Sequence, residues 1–148
     1  MRPDVLEALV NAARGAVVRA YAPYSEFRVG AAVLGASGRL YTGANIESSS
    51  YGLTVCAERV AVFHAVHAGE SHLLGLAIAT ETQDPVSPCG ACRQVVHEFG
   101  PDIPVLLSPL AGAVVHTRLG VLLPDAFDPR VLPVMGGRGP GPGTQAGG

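Results

Sequence analysis

The sequence predicts an α/β fold, a mixed β-sheet covered by helices, and three observations lead there. Leu73–Thr80, the helical stretch after it and Ile103–Leu107 together have the length of a parallel β-α-β unit. Between Leu107 and Ala113 lie only five residues, Ser108 to Gly112, before the strand-like Val114–Leu119. A parallel neighbour would need a crossover of roughly a dozen residues, so these last two strands must pair antiparallel. Nearer the N-terminus, two apolar runs flank Gly35-Ala36-Ser37-Gly38, a hairpin signature.

The elements follow in order. Asp4–Tyr21 reads as an amphipathic helix, because Val5, Leu6, Leu9, Val10, Ala13 and Val17 recur at helical spacing behind Pro3, and Pro23 ends it. Phe27–Leu34 and Arg39–Ile46 are the hairpin strands. A polar loop, Glu47–Gly52, leads to a second helix over Cys56–Ala68, with Ala57, Val60, Ala61, His64 and Ala65 along one side. Leu73–Thr80 is a continuous apolar run of strand length. A loop containing Asp84, Pro85 and Pro88 precedes a third helix over Cys89–Phe99, and Ile103–Leu107 is a short buried strand. The Gly/Pro-rich end can bury nothing, so the expected division is a domain over 1–132 and a disordered tail over 133–148.

At 148 residues the chain suits one domain. Hydrophobic content of 48% and mean hydropathy of +0.32 suggest apolar surface covered by other subunits. No run approaches the ~20 apolar residues of a membrane span, and Met1-Arg2-Pro3-Asp4 lacks a signal peptide's apolar stretch. The expectation is a cytoplasmic protein with no membrane partner. Net charge is −2, the ten arginines are scattered singly and aromatics are 5%, which disfavours nucleic acid and favours a small molecule. With no lysine, Schiff-base chemistry is excluded.

All three cysteines fall in one pattern, Cys56-Ala57-Glu58 and then Pro88-Cys89-Gly90-Ala91-Cys92. A lone Cys-x-x-Cys reads as a zinc clip, a redox dithiol or coincidence. A redox pair gains nothing from a third thiol beside a glutamate, whereas a tetrahedral metal does. Catalytic zinc needs three protein ligands and an open position; structural zinc would need a fourth ligand, and none of the five histidines stands at ligand spacing to the cysteines. If each helix begins at its cysteine, the thiolates meet at two positive helix ends. Arg59, three residues after Cys56, is either a donor drawing charge from sulfur or a surface arginine. Arg93 reads as a surface or interface residue. Glu58 either complements the helix dipole or, beside the metal's open position, shuttles protons.

These residues resemble the zinc-dependent nucleoside deaminases. Tyr24-Ser25-Glu26-Phe27-Arg28-Val29-Gly30-Ala31-Ala32, Gly43-Ala44-Asn45-Ile46-Glu47 and Leu122-Leu123-Pro124-Asp125-Ala126-Phe127 narrow the resemblance to the small cytidine deaminases, from the first helix to Phe127. It implies a three-layer α/β/α fold around a five-stranded mixed sheet with the last two strands antiparallel. It also implies one Zn²⁺ per subunit on Cys56, Cys89 and Cys92, Glu58 as the catalytic proton carrier, and a homotetramer with shared active sites. By position, Asn45 and Glu47 would hold the ribose hydroxyls and Phe27 would pack on the pyrimidine. Ala57 would offer its backbone N–H to the base carbonyl, and Phe127 would reach a neighbouring subunit's pocket. Gln94 resembles a polar position near the zinc thiolates. The implied reaction converts cytidine or deoxycytidine to uridine or deoxyuridine and ammonia, a step of pyrimidine salvage. Two rivals stand beside it: a deaminase of another aminopyrimidine, such as a blasticidin-type antibiotic, and a non-catalytic zinc module.

Overall fold

The computed structural model describes residues 1–132; the expected tail over 133–148 lies outside the described residues. Helix α1 spans Pro3–Ala16, followed by strands β1 (Val29–Gly35) and β2 (Leu40–Ala44), helix α2 (Ala57–His67) and strand β3 (Leu73–Thr80). Helix α3 (Gly90–Phe99), strands β4 (Pro104–Pro109) and β5 (Val115–Arg118) and the short helix α4 (Leu119–Leu122) complete it. The sheet order is β2-β1-β3-β4-β5. As expected, β1 and β2 form an antiparallel hairpin, β3 and β4 run parallel across α3, and β4 and β5 are antiparallel. The β1–β3 pair is antiparallel too, so the sheet is mixed. No helix among the described residues is long and apolar enough to cross a membrane.

Strand alternation divides the core into two layers. Ala32, Leu34, Ala77, Ala79 and Leu106 face α1, where Leu9, Val10, Ala13 and Val17 cover them. Ala31, Val33, Leu76, Ile78, Val105 and Leu107 face the other way, toward α2 and α3. That is the three-layer α/β/α arrangement. Helix α2 sits unusually close because Ala57, Ala61 and Ala65 form its inner stripe and because β2 presents Gly43 to it. A Cβ on Gly43 would stand 2.4 Å from the Ala61 nitrogen and 2.6 Å from the Ala57 carbonyl oxygen.

Several boundaries differ from the sequence expectation, β2 ending at Ala44 and β4 running on to Pro109 among them, and two have clear local reasons. The first helix ends at Ala16 and tightens into a 3-10 turn over Val17–Arg19 instead of continuing to Tyr21. Strand β1 starts at Val29, not Phe27, because Glu26 takes a left-handed backbone with φ 57°. Beyond the end of β2, Asn45 extends the pairing with its side chain: its Oδ1 accepts from Val29 N at 2.9 Å and its Nδ2 donates to the Phe27 carbonyl at 2.8 Å. An amide group here satisfies two backbone groups that the ladder no longer reaches.

Candidate active site

Cys56 and Cys89 are the N-cap residues of α2 and α3, so the two helix ends that the sequence placed at the cysteines do converge. Cys56 is brought there by a backbone bridge between Ile46 and Val55, which exchange hydrogen bonds of 3.0 and 2.9 Å. Cys92 lies one turn into α3, and its N–H donates to the Cys89 sulfur at 3.4 Å. The Cys56–Cys89 sulfurs are 4.0 Å apart, the Cys89–Cys92 sulfurs 3.4 Å, and all three lie within 4.8 Å of one another. Three sulfurs at ~2.3 Å from one tetrahedral zinc stand about 3.8 Å apart, so this cluster fits zinc as three ligands. No histidine or carboxylate joins the cluster among the described residues, which leaves a fourth position open and argues against a closed structural site.

The surroundings of the sulfurs favour thiolate at Cys56. The Cys56 thiol is lowered to about 5, through its hydrogen bond with Cys92 and those from Arg59 and Cys89 acting against burial. Cys92 moves the opposite way, upward, since it shares that hydrogen bond, is buried and faces the Glu58 carboxylate. The Arg59 guanidinium donates to the Cys56 sulfur at 3.4 Å, as the spacing of three residues along a helix allows, while its Nε is buried without a partner. Arg59 is therefore turned inward. Arg93 also departs from the surface reading: it donates to the Pro88 carbonyl at 2.8 Å and to the Leu122 carbonyl at 2.6 Å.

Glu58 is 5% exposed in the first turn of α2. Burial first, and the nearby Cys56 thiolate second, push its carboxyl above the ordinary carboxylate value. A carboxyl shifted upward is better matched to carrying protons near neutral pH. It opens on a cavity of about 250 Å³ whose lining includes Cys56, Ala57 and Cys89 on one side and Phe27, Asn45 and Glu47 on another. Ala57 lies at the start of α2, where backbone N–H groups have no partner within the helix. A neighbouring hollow of about 360 Å³ beside Tyr24 and Tyr51 shares Ser25, Glu47 and Thr54 with the first.

Asn45 and Glu47 are partly engaged already. The Glu47 Oε1 accepts from Tyr24 N and Ser25 N at 2.9 and 3.1 Å, and its Oε2 accepts from the Ser25 hydroxyl. The Ser25 hydroxyl leads these hydrogen bonds in holding the carboxyl below its ordinary value. Each side chain keeps capacity for a ligand: one Nδ2 hydrogen and one Oδ1 lone pair on Asn45, and a lone pair on Glu47 Oε2.

Two residues named by position do not line this cavity. Phe127 is 64% exposed and does not line this chain's own cavity. Gln94 donates to the Phe127 carbonyl at 2.7 Å and makes no hydrogen bond to a cysteine sulfur among the described residues. One N–H of the polar side chain expected near the thiolates is thus engaged by the 122–128 segment. Conversely, Ile78, Thr80, Val86 and Ser87 line the cavity without having been singled out. Their only sequence signal is placement at the end of one strand and just before Pro88.

Residues 3–107 match the family model described as the cytidine and deoxycytidylate deaminase zinc-binding region. A cytidine deaminase from Sporosarcina psychrophila is 48% identical over 123 residues, which cover 82% of this chain and 90% of that protein. Among solved structures, a cytidine deaminase from Burkholderia pseudomallei aligns with a TM-score of 0.79 at 47% identity, covering 86% of this chain and 100% of that one. The cytidine deaminase from Mycobacterium tuberculosis aligns at 0.72 and 43% identity over 82% of this chain and 96% of that one.

Proposed function

The chain belongs to the cytidine and deoxycytidylate deaminase family, and from that premise we propose that it is a zinc-dependent hydrolase converting cytidine and deoxycytidine to uridine and deoxyuridine with release of ammonia. The observation that carries the reading is a single cavity lined by the metal cluster's Cys56 and Cys89, the buried Glu58 and the ribose-type partners Asn45 and Glu47. Cys56, Cys89 and Cys92 would hold one Zn²⁺ per subunit. Zinc, when bound with one open position, lowers the pKa of water there toward ~7 and so supplies a nucleophile at neutral pH.

The chain's own groups then divide the work. Phe27 packs against the pyrimidine, the Ala57 N–H binds the base carbonyl, and Asn45 and Glu47 hold the ribose hydroxyls. Glu58 takes one proton from water and gives it to ring N3, making C4 electrophilic. Oxygen adds at C4, Glu58 transfers the second proton to the exocyclic amine, and the C4–N bond breaks to release ammonia. One water enters and one ammonia leaves, so the balance closes with Glu58 as sole proton carrier. Arg59, donating to Cys56, offsets part of the charge of three thiolates.

The site suits a nucleoside over its 5′-phosphate: among the described residues, the lining of the two hollows holds the Glu47 carboxylate and no arginine or lysine, so no cation there neutralises a phosphate. Exposed Val18, Tyr51, Leu53, Phe63, Val121 and Phe127 support a homotetramer in which Phe127 reaches a neighbour's pocket. We place the protein in the cytoplasm, with residues 1–132 as its catalytic domain. A substrate panel tests the reading: cytidine, deoxycytidine, cytidine 5′-monophosphate and a blasticidin-type antibiotic, followed by ammonia release. The first two should be turned over at least ~100-fold faster than the others, an energy gap of about 2.7 kcal/mol. Preference for the antibiotic or the nucleotide would overturn it, and wild-type protein that carries zinc but releases no ammonia from any of the four would make it a binding module.

A further inference from the structure

Helix α3 carries Cys92 and also grips the segment that ends at Phe127 and Asp128. Three of its side chains reach across: Arg93 to the Leu122 carbonyl at 2.6 Å, Gln94 to the Phe127 carbonyl at 2.7 Å and His97 Nε2 to Asp128 Oδ2 at 3.1 Å. His97 is 9% exposed, and its Nδ1 is buried without a partner, so Asp128 is its one hydrogen-bond partner among the described residues. The Asp128 carboxylate is an acceptor only, which assigns the hydrogen to Nε2. Arg130 grips the same carboxylate, donating to Oδ1 at 2.8 Å and to the Oδ2 that His97 also contacts. The segment needs such anchoring, because α4 stops at Leu122 and Asp125 takes a left-handed backbone with φ 52°.

The two contacts flank the peptide that follows Phe127. Gln94 fixes its carbonyl and His97 fixes the next side chain, so the peptide between them is immobilised and the exposed ring keeps only its own torsions. We propose that Gln94 and His97 are positioning residues for Phe127, acting through the 127–128 peptide and not through the zinc ligands. The proposal rests on the reading that Phe127 completes a neighbouring subunit's pocket. Preorganising the ring removes an ordering cost that substrate binding would otherwise bear. Losing a contact should therefore raise KM and spare kcat, since Glu58 and the cysteines are untouched.

The experiment uses the full-length, zinc-loaded protein and measures KM, kcat and zinc per subunit with cytidine. Gln94→Ala and His97→Phe, which keeps a buried ring without a donor, should each raise KM roughly three- to tenfold, as loss of one hydrogen bond implies. Zinc content should stay at the wild-type value. Phe127→Ala should raise KM at least as much, and adding Gln94→Ala to it should change nothing more. His97→Gln, which retains an N–H donor, should fall close to wild type. Loss of zinc in Gln94→Ala, or an effect that adds in full to that of Phe127→Ala, would overturn the proposal. So would unchanged KM in both clamp variants while Phe127→Ala is impaired, and that result leaves the Phe127 reading standing. A wild-type KM in Phe127→Ala would overturn that reading and the clamp with it. Gln94 is only half-buried, so its variant reports even where His97→Phe folds poorly.

Discussion

Arg59 meets the metal cluster from behind, with one nitrogen on the Cys56 sulfur and its Nε buried without a partner. Three thiolates leave a bound zinc with net negative charge, which weakens its pull on water; a guanidinium hydrogen-bonded to one of them works in the opposite direction. Arg59→Ala should lower kcat or zinc affinity by about 10–100-fold, the usual effect of removing a ligand's own partner. Steady-state kinetics together with a chelator competition would measure both. Wild-type values of each would return Arg59 to a packing role. Spacing alone suggested this contact, because residues three apart share a helix face. Asn45 illustrates the opposite case. Nothing in its position announced that its amide would replace backbone partners for Phe27 and Val29, since that depends on where β1 begins.

At the scale of elements, the site depends on how closely α2 approaches the sheet. Gly43 permits the contact with Ala57, Val60 and Ala61, and the same first turn of α2 carries Glu58. Gly43→Ala would force the helix outward against backbone atoms that cannot rotate away. A loss of about 1–3 kcal/mol in stability is expected from overpacking of this kind. Denaturant titration would measure it, and kcat should fall with it because Glu58 moves with the helix. A variant of unchanged stability and turnover would contradict the packing account. The β1–β2, β3–β4 and β4–β5 pairings were legible because the hairpin turn and the connection lengths constrain them, whereas the β1–β3 pairing spans α2 and had no local signal. The ends of α1 and β1 were not, since a 3-10 turn and the left-handed backbone of Glu26 leave no periodic trace.

For the whole molecule, the cysteines and Glu58 were readable as chemistry because they sit in compact motifs, and folding had only to join two helix ends. The rest of the cavity was less readable. Ser25, Thr54 and Val86 come from separate loops, and Ile78 and Thr80 from the end of β3, and only the sheet topology brings them together. Gln94 was read as a neighbour of the thiolates, yet its amide turns toward Phe127, a partner 33 residues away that no local pattern identifies. Motif position sets which helix a residue rides on; the packing of α3 against the 122–128 segment sets what it touches. The central claim joins a metal held by three cysteines to proton transfer by one buried carboxylate. The most direct measurement is zinc per subunit together with the ultraviolet rate of cytidine loss, for the wild type and for Glu58→Gln. Both proteins should carry one zinc per subunit, and the variant should lose at least ~100-fold in kcat, the lower end expected for general acid–base catalysis. A Glu58→Gln variant that turns over cytidine at the wild-type rate with full zinc would contradict the account.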